Sequence, residues 1–252
     1  MDYLYDETFE GFLTCVYYHY YSEKASGVFP IASYQQDILN KSRIVVTDEG
    51  KSNIVYDAIL KKISSDDIKR IFRVFHTDTK DMEMKLLRYI RFAFKNGARI
   101  QMLHGNQIVL DVQEAEQRLG REVHRLCGLV RFSVICAGEN EILYSTIEPD
   151  NDVLQFLAPH FTDRFHKQAF IIHDLKRNKS LVSNNRKWYI TDEFDASKIE
   201  YSPSEEEYRT LWRQYFDIMA IKERTNPKCQ KNFMPTRYWK HLPEINQNSI
   251  ST

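Results

Sequence analysis

The sequence is poor in glycine and proline and lacks the short motifs that mark common cofactor sites. It has 8 glycines and 7 prolines in 252 residues. It contains no G-x-G-x-x-G, no Walker loop and no G-x-S-x-G, which excludes a recognisable dinucleotide loop, P-loop or nucleophile elbow. The cysteines are Cys15, Cys127, Cys136 and Cys229. None forms a C-x-x-C pair, so zinc-ribbon, redox and iron–sulfur spacings are absent.

Long apolar runs are also missing. No run approaches the roughly 18 residues of a membrane helix, and the mean hydropathy is −0.52. The acidic start, residues 1–12, has no basic and no apolar region of a signal peptide. With 42% hydrophobic and 28% charged residues the composition is globular. We therefore expect a cytoplasmic protein with reduced thiols and no membrane contact.

Helical periodicity dominates the first half of the chain, where apolar residues recur every three to four positions. It predicts helices over 7–20, 57–63, 65–76, 81–96 and 107–127. Short strands are predicted at 3–5 and 43–46, the latter inside an irregular stretch over 22–53. Gly97 and Gly128 follow two of these helices, where a glycine commonly ends a helix.

The pattern changes period after residue 128. The sequence predicts two strands at 130–136 and 141–147, a helix at 152–165, and three further strands at 170–175, 180–184 and 187–192. The order of these elements over 129–193 is ββαβββ. This predicts an antiparallel sheet with a helix on one face, and an α+β fold class. We expect one composite domain over 1–245, with a sub-division after 128.

A last helix is predicted over 204–219, and a basic arm follows it. The apolar side of the helix holds Tyr208, Leu211, Trp212, Tyr215 and Met219. Three prolines predict mostly non-helical turns over 220–245, and 246–252 reads as a disordered tail.

Charge is balanced overall, with 35 basic and 35 acidic residues, but it is not balanced locally. Residues 222–241 hold six basic residues and one acidic residue, a net charge of +5, interleaved with Phe233, Tyr238 and Trp239. Basic groups neutralise phosphates and aromatic faces stack on unpaired bases, so this mixture suits nucleic acid. A C-terminal arm whose aromatics pack on the core is the other interpretation, and the residues alone favour it modestly.

Two further clusters have a functional and a structural interpretation. Arg118, Arg121 and Arg125 share a helix face that could follow a phosphate backbone, although nearby glutamates favour a solvated face. The carboxylates within 148–152 could bind a metal, but their place before a helix favours capping.

Several titratable residues lie close together in sequence around the second half of the predicted sheet. They are His160, Asp163, Arg164, His166, His173 and Asp174. Without an H-x-x-x-H or H-E-x-x-H pair, structural histidines are favoured over a metal site, so we expect no metal and no cofactor.

Five stretches give the chain a resemblance to a known family. They are TFEGFLT, GREVHRLCGLVRF, LYSTIEPDNDVLQFLAPHFTDRF, IIHDLKR and the long segment YRTLWRQYFDIMAIKERTNPKCQKNFMPTRYWKHLPE. The chain resembles a bacterial family of DNA metabolism or DNA repair proteins. That family is typically encoded beside a radical-SAM protein of DNA modification or repair, and its domain is also found fused to uracil-DNA-glycosylase-like domains.

The resemblance implies a DNA-facing surface and a radical-SAM partner that supplies the iron–sulfur chemistry. The implied DNA-binding residues are Arg118, Arg121, Arg125, Arg131, Arg164, Arg213, Arg224, Arg237, Tyr238, Trp239 and Lys240. If the protein is itself catalytic, the implied acid–base residues are His160, Asp163, His173 and Asp174.

Three hypotheses remain open at this point. The first is a DNA-binding accessory protein that works with the radical-SAM enzyme. The second is a base-excision-type hydrolase or glycosylase acting on damaged DNA. The third is a protein–protein adaptor without DNA contact. The neutral net charge supports this hypothesis, because proteins that bind DNA electrostatically usually carry an excess of basic residues.

Overall fold

A computed structural model describes residues 1–35, 41–138 and 140–246. The chain divides into two compact units, Met1–Leu119 and Gly120–Thr252, and the division falls inside one long helix, α5 (Gln107–Leu129). Helices and strands occur in both units, which confirms the predicted α+β class. The prediction of one composite domain stays a prediction, and all but the first residue of the predicted tail lies outside the described residues.

The first unit combines a small parallel sheet with helices. Its strands are β1 (Asp2–Tyr5), β2 (Gly27–Pro30) and β3 (Ser42–Ile44), in the order β2-β1-β3. Its helices before α5 are α1 (Phe9–Tyr21), α2 (Glu49–Lys62), α3 (Ser65–Phe75) and α4 (Met82–Asn96).

Local chemistry explains where these helices begin and end. Helix α1 starts after Thr8, whose hydroxyl accepts a hydrogen bond from the Gly11 amide at 2.9 Å. Helix α4 ends at Gly97, whose φ of 59° is the left-handed conformation that glycine adopts without strain. The apolar stripes of these helices are buried, as predicted, with Phe12 in α1 and Leu87 in α4 in the core.

Two predictions for this unit are wrong. Helix α2 begins at Glu49 rather than at 57, because the Asp48 carboxylate accepts a hydrogen bond from the Lys51 amide at 3.0 Å and caps it. The stretch predicted to be irregular contains β2, whose sequence Gly27–Pro30 starts with glycine and ends with proline. Both residue types disfavour a strand by propensity, and pairing with β1 overrides that preference.

The second unit is a mixed sheet with helices. Its strands are β4 (Ser133–Ala137), β5 (Asn140–Ile147), β6 (Phe170–Asp174), β7 (Lys179–Asn184), β8 (Lys187–Thr191) and β9 (Glu200–Tyr201). Its helices after α5 are α6 (Leu154–Arg164), α7 (Glu205–Met219) and α8 (Pro227–Phe233).

The predicted antiparallel pairing is wrong at one place in this sheet. The strand order is β8-β7-β6-β5-β4-β9, and β5 and β6 pair in parallel from Leu143↔Phe170 to Ile147↔Asp174. A parallel pair needs a crossover connection, and α6 provides it between these two strands. The other pairs are antiparallel, as predicted, and β9 adds an edge strand that the sequence did not indicate.

The C-terminal region exposes the aromatic side of α7, and its arm differs from the prediction. Tyr208 is 60% exposed and Tyr215 is 55% exposed. The arm is partly helical, since α8 begins at Pro227 and a 3-10 helix covers Thr236–His241. Proline starts α8 rather than breaking it, because the first residues of a helix have amides without intrahelical partners. No helix among the described residues is long and apolar enough to cross a bilayer.

Candidate functional site

The C-terminal arm, residues 220–244, is anchored at its far end by a buried glutamate of α5. Glu122 is 3% exposed, and its carboxylate accepts hydrogen bonds from the Tyr238 hydroxyl at 2.6 Å and from the Asp150 amide at 2.8 Å. Asn151 donates to it from its backbone amide at 3.0 Å and its side-chain amide at 2.6 Å. Burial alone would raise the pKa of Glu122, but these donors lower it below its usual value. The carboxylate therefore stays ionised.

Charged residues of the arm meet acidic partners from the 148–152 segment. Arg237 pairs with Asp150 at 2.7 Å and Lys240 pairs with Glu148 at 2.5 Å. These carboxylates therefore bind the arm. They do not cap α6, which begins after Val153 without a side-chain cap, so the capping interpretation is wrong. Trp239 donates its indole N–H to the Met234 carbonyl at 2.9 Å.

The four predicted acid–base residues do not converge. His160 and Asp163 are exposed on α6. His173 is buried in β6, with Nδ1 3.1 Å from the Tyr144 hydroxyl, and Asp174 is buried in an ion pair of 3.0 Å with Arg177. Because adjacent residues of a strand point to opposite faces, His173 and Asp174 do not share a face.

Within residues 1–35, 41–138 and 140–246, no three His, Cys, Asp or Glu side chains are grouped to hold a metal ion.

A cleft of about 750 Å³ opens on the second unit. It is bounded by the end of α5, the strands β4 and β5, the end of α6, the first half of α7 and Pro243. All of its lining residues lie between Cys127 and Pro243, within one unit. Its size is that of a small-molecule site, which is roughly 300–1,000 Å³.

Phenylalanine rings line the α6 side of the cleft. The ring of Phe132 lies 5.0 Å from that of Phe165 and 5.5 Å from that of Phe161, with both pairs edge to face. Phe161 is buried, whereas Phe132 and Phe165 are half-buried. The cleft therefore offers partly open aromatic surface that sits on a packed core.

Three arginines line the cleft, and two of them are already paired. Arg131 donates to Glu244 at 2.9 Å, and Arg209 donates to Glu205 at 2.9 Å. Arg164 is exposed, and its guanidinium carbon lies 5.6 Å from the centre of the Phe165 ring. Among the described residues Arg164 has no acidic partner, so its charge is free to meet an anion.

Helix α7 supplies the opposite rim. Trp212 is held on its Nε1 side by Glu244 at 3.0 Å, and the Arg131 guanidinium lies 5.5 Å from its ring centre. Tyr208, one turn earlier and 60% exposed, makes no ring contact with a described residue. Within the described chain, Tyr208 is thus the aromatic ring of the cleft that stacks on no other ring.

The carboxylate that orients α7 is itself buried. Glu205 is 4% exposed and accepts a hydrogen bond from the Val134 amide at 2.8 Å, so it joins the start of α7 to β4, the strand next to the β9 edge. Arg209 also donates to the Ser133 hydroxyl at 2.9 Å. These bonds fix the first turns of α7, and thereby Tyr208, against β4.

The cleft contains two of the predicted DNA-binding residues, Arg131 and Arg164. Arg213 donates to the carbonyl of Pro243, a wall residue, at 3.2 Å. The other predicted DNA-binding residues lie outside the cleft lining. Arg118 and Arg121 are exposed on α5, and Arg125 donates to the Asn232 carbonyl at 3.4 Å. The remaining ones belong to the arm, where Arg224 is exposed: Arg224, Arg237, Tyr238, Trp239 and Lys240.

Sequence reasoning missed several residues of the cleft. Arg209, Phe132 and Phe165 carry no motif, and nothing in the pattern singled them out. Tyr208 and Trp212 were recognised as part of one apolar face of α7, but the pattern left open whether that face is buried or exposed. The signal that could have found them is the combination of this aromatic face with Arg209 and Arg213 on the same helix.

Fold and cleft together define an α+β protein with an aromatic, guanidinium-lined binding cleft. Residues 80–244 match the family described as a domain of unknown function, DUF4130, so the chain belongs to that family. The matched range includes every residue that lines the cleft. No curated protein and no solved structure matches the chain.

Proposed function

We propose that the protein is a DNA-binding accessory protein of DNA repair or DNA metabolism that works in the cytoplasm beside a radical-SAM enzyme. The observation that carries this proposal is the cleft, where Arg164, without an acidic partner among the described residues, lies over the ring of Phe165, which in turn packs against Phe132. Guanidinium groups bind phosphate and aromatic faces bind bases, so this pairing suits a nucleotide chain. The sequence resemblance supports the biological setting.

The proposal moves DNA binding from the arm to the cleft. Arg237 and Lys240 are paired with acidic residues, and a cation in an ion pair must give up that partner to bind a phosphate. Arg164 has no acidic partner among the described residues to give up, only its contact with the Phe165 ring. A phosphate contact at Arg164 therefore costs less than one at the arm.

A protein-docking role is favoured by a separate observation. Beyond the cleft, α7 exposes an apolar face that includes Leu211 (53% exposed), Ile218 (81%) and Met219 (60%). Exposed apolar patches of this kind mark protein interaction sites. The exposed apolar face of α7 therefore supports the proposal that the protein works with a partner enzyme. A protein–protein adaptor without DNA contact would expose the same kind of face.

The test is fluorescence polarisation of the whole chain with labelled single-stranded and duplex DNA at low and physiological salt. We expect binding, and we expect Arg164→Ala to weaken it about tenfold, which is the loss of roughly one charge-assisted contact. Arg88→Ala, which removes an exposed arginine of α4 in the other unit, is the matched control and should leave affinity unchanged.

Three outcomes would contradict the proposal. Absence of DNA binding at low salt would remove the DNA half, and co-purification with the radical-SAM partner would then favour the adaptor. Equal weakening by Arg164→Ala and Arg88→Ala would show that the cleft is not the contact site. Weakening by Lys240→Ala in place of Arg164→Ala would return the contact to the arm.

A further inference from the structure

We propose that the occupant of the cleft is one unpaired nucleobase with its adjoining phosphate, so that the protein recognises single-stranded or base-extruded DNA in preference to intact duplex. The inference rests on the proposed function and sharpens it by naming the form of the nucleic acid. It is carried by the size of the cleft, the free ring of Tyr208 and the small number of free charges.

Size separates a nucleotide from a duplex. The cleft holds about 750 Å³ and is enclosed on several sides by β4, β5, α6 and α7. A site of this volume is that of a small molecule, whereas a duplex is read by elements that enter its grooves or lie along its backbone. A base in the stack of a duplex cannot enter such a cleft, and an extruded or single-stranded base can.

The aromatic rings are placed to receive a base on two sides. Tyr208 lies on the α7 rim without a ring partner among the described residues, and Phe132 and Phe165 are partly open on the α6 side. Stacking of one base on an aromatic side chain strengthens binding by roughly 5- to 100-fold, and it tolerates any base because every base has a flat face.

The charge balance argues against a duplex-binding surface. Glu244 neutralises Arg131 and Glu205 neutralises Arg209, which leaves Arg164 as the unpaired cation of the cleft within the described chain. Binding to a duplex without base contacts depends on many phosphate contacts and therefore weakens steeply with salt. One or two phosphate contacts on a single strand give a slope of only about −0.7 to −1.4 in log K against log salt.

Trp212 provides a signal inside the cleft. Its indole is fixed by Glu244 and Arg131, so an arriving base changes its surroundings without moving it. Trp188 and Trp239 lie outside the cleft lining and contribute background. Comparison with Trp212→Phe assigns the change in fluorescence to the cleft.

The experiment compares three probes with the full chain: a twelve-nucleotide oligo(dT), a blunt twelve-base-pair duplex, and the same duplex with one bulged thymidine. Polarisation gives affinity and salt slope, and tryptophan fluorescence gives occupancy of the cleft. We expect the single strand and the bulge to bind at least tenfold more tightly than the blunt duplex, with a shallow salt slope and quenching that Trp212→Phe abolishes.

Three tyrosine variants test the stacking ring. Tyr208→Leu should weaken oligo(dT) about tenfold, whereas Tyr208→Phe keeps the ring and should bind like the wild type. Tyr189→Leu is the matched control, because Tyr189 on β8 is also 60% exposed and lies outside the cleft. Tyr208 and Tyr189 are both exposed, so unchanged urea unfolding curves are expected for all three variants and exclude a folding defect.

The outcomes separate this inference from the proposed function. Blunt duplex binding as tightly as oligo(dT), or Tyr208→Leu binding like Tyr189→Leu, overturns the inference while DNA binding stands. Failure of all three probes to bind at low salt overturns the proposed function itself, and the inference with it.

Discussion

Two neighbouring segments of the second unit, the arm and helix α7, have similar composition and opposite surroundings. Both combine arginines with tyrosine and tryptophan. In the arm, Tyr238 is 2% exposed and bonded to Glu122. In α7, Tyr208 is 60% exposed and has no ring partner among the described residues. The tyrosine ring is therefore structural in one segment and open to a ligand in the other.

The difference lies in what each segment faces. The arm faces Glu122, Glu148 and Asp150, which supply acceptors for its hydroxyl and cationic groups. In the first turn of α7, the carboxylate of Glu205 points toward the sheet, where it accepts a hydrogen bond from the Val134 amide. An aromatic side chain of such a segment indicates a binding surface only where no partner already engages it, as is the case for Tyr208 and not for Tyr238.

The largest expected effect comes from removing the acceptor that anchors the arm. Glu122→Ala leaves the Tyr238 hydroxyl and the Asp150 and Asn151 amides without their partner in a buried place, which we expect to destabilise the second unit by about 3–5 kcal/mol. Urea unfolding measures this. Glu114→Ala, an exposed position of the same helix, is the control and should change little. Equal stability of the two variants would mean that the arm is not anchored.

A smaller effect separates the two tyrosines directly. Tyr238→Phe removes the hydrogen bond that the hydroxyl donates to the ionised Glu122 and the one that it accepts from Arg237, which we expect to cost about 1.5–3 kcal/mol in urea unfolding. Tyr208→Phe removes a solvated hydroxyl and should change stability by less than about 0.5 kcal/mol. If both substitutions cost the same, the contrast between arm and α7 is wrong.

The smallest effect concerns pH. Burial lowers the pKa of the His241 imidazole, nearby Glu148 opposes this and Lys240 adds to it. A histidine whose pKa is lower in the folded state takes up protons more readily when unfolded, so stability is lost as the pH falls below about 6.5.

This loss is measured as the change in urea midpoint between pH 7.5 and 5.5. His241→Gln should show a smaller loss than the wild type, and the exposed His160→Gln should match the wild type. The pKa of His19 in the first unit is also lowered by burial, so the difference between variant and wild type is the informative quantity. A loss in His241→Gln as large as that of the wild type would exclude His241 as its source.

Much of the fold could be predicted from the sequence, because helical stripes and alternating strands are local signals. Helices α3 to α7 and strands β4 to β8 lie close to their predicted places. The parallel pairing of β5 with β6 was missed although the strand–helix–strand order favours it, because a helix between two strands can return the chain to the edge of the sheet where the first strand began. Strand β2 was missed because its glycine and proline disfavour a strand by propensity, and only the pairing with β1 stabilises it.

The site could be predicted only in part. Arg131 and Arg164 were identified, but the state of each charge depends on residues distant in sequence: Glu244 is 113 residues from Arg131. Likewise Tyr238 meets Glu122 across 116 residues. Periodicity indicated the aromatic face of α7 correctly and could not distinguish a buried face from an open one.

Photo-crosslinking tests most directly whether the cleft or the arm contacts DNA. A single-stranded oligonucleotide carrying 5-bromodeoxyuridine is irradiated in complex with the full chain, and the modified peptide is mapped by mass spectrometry. The account predicts attachment at Tyr208 or at the α6 side of the cleft near Phe165, and loss of the Tyr208 adduct in Tyr208→Leu. Attachment within the arm, at Tyr238 or Trp239, would contradict it.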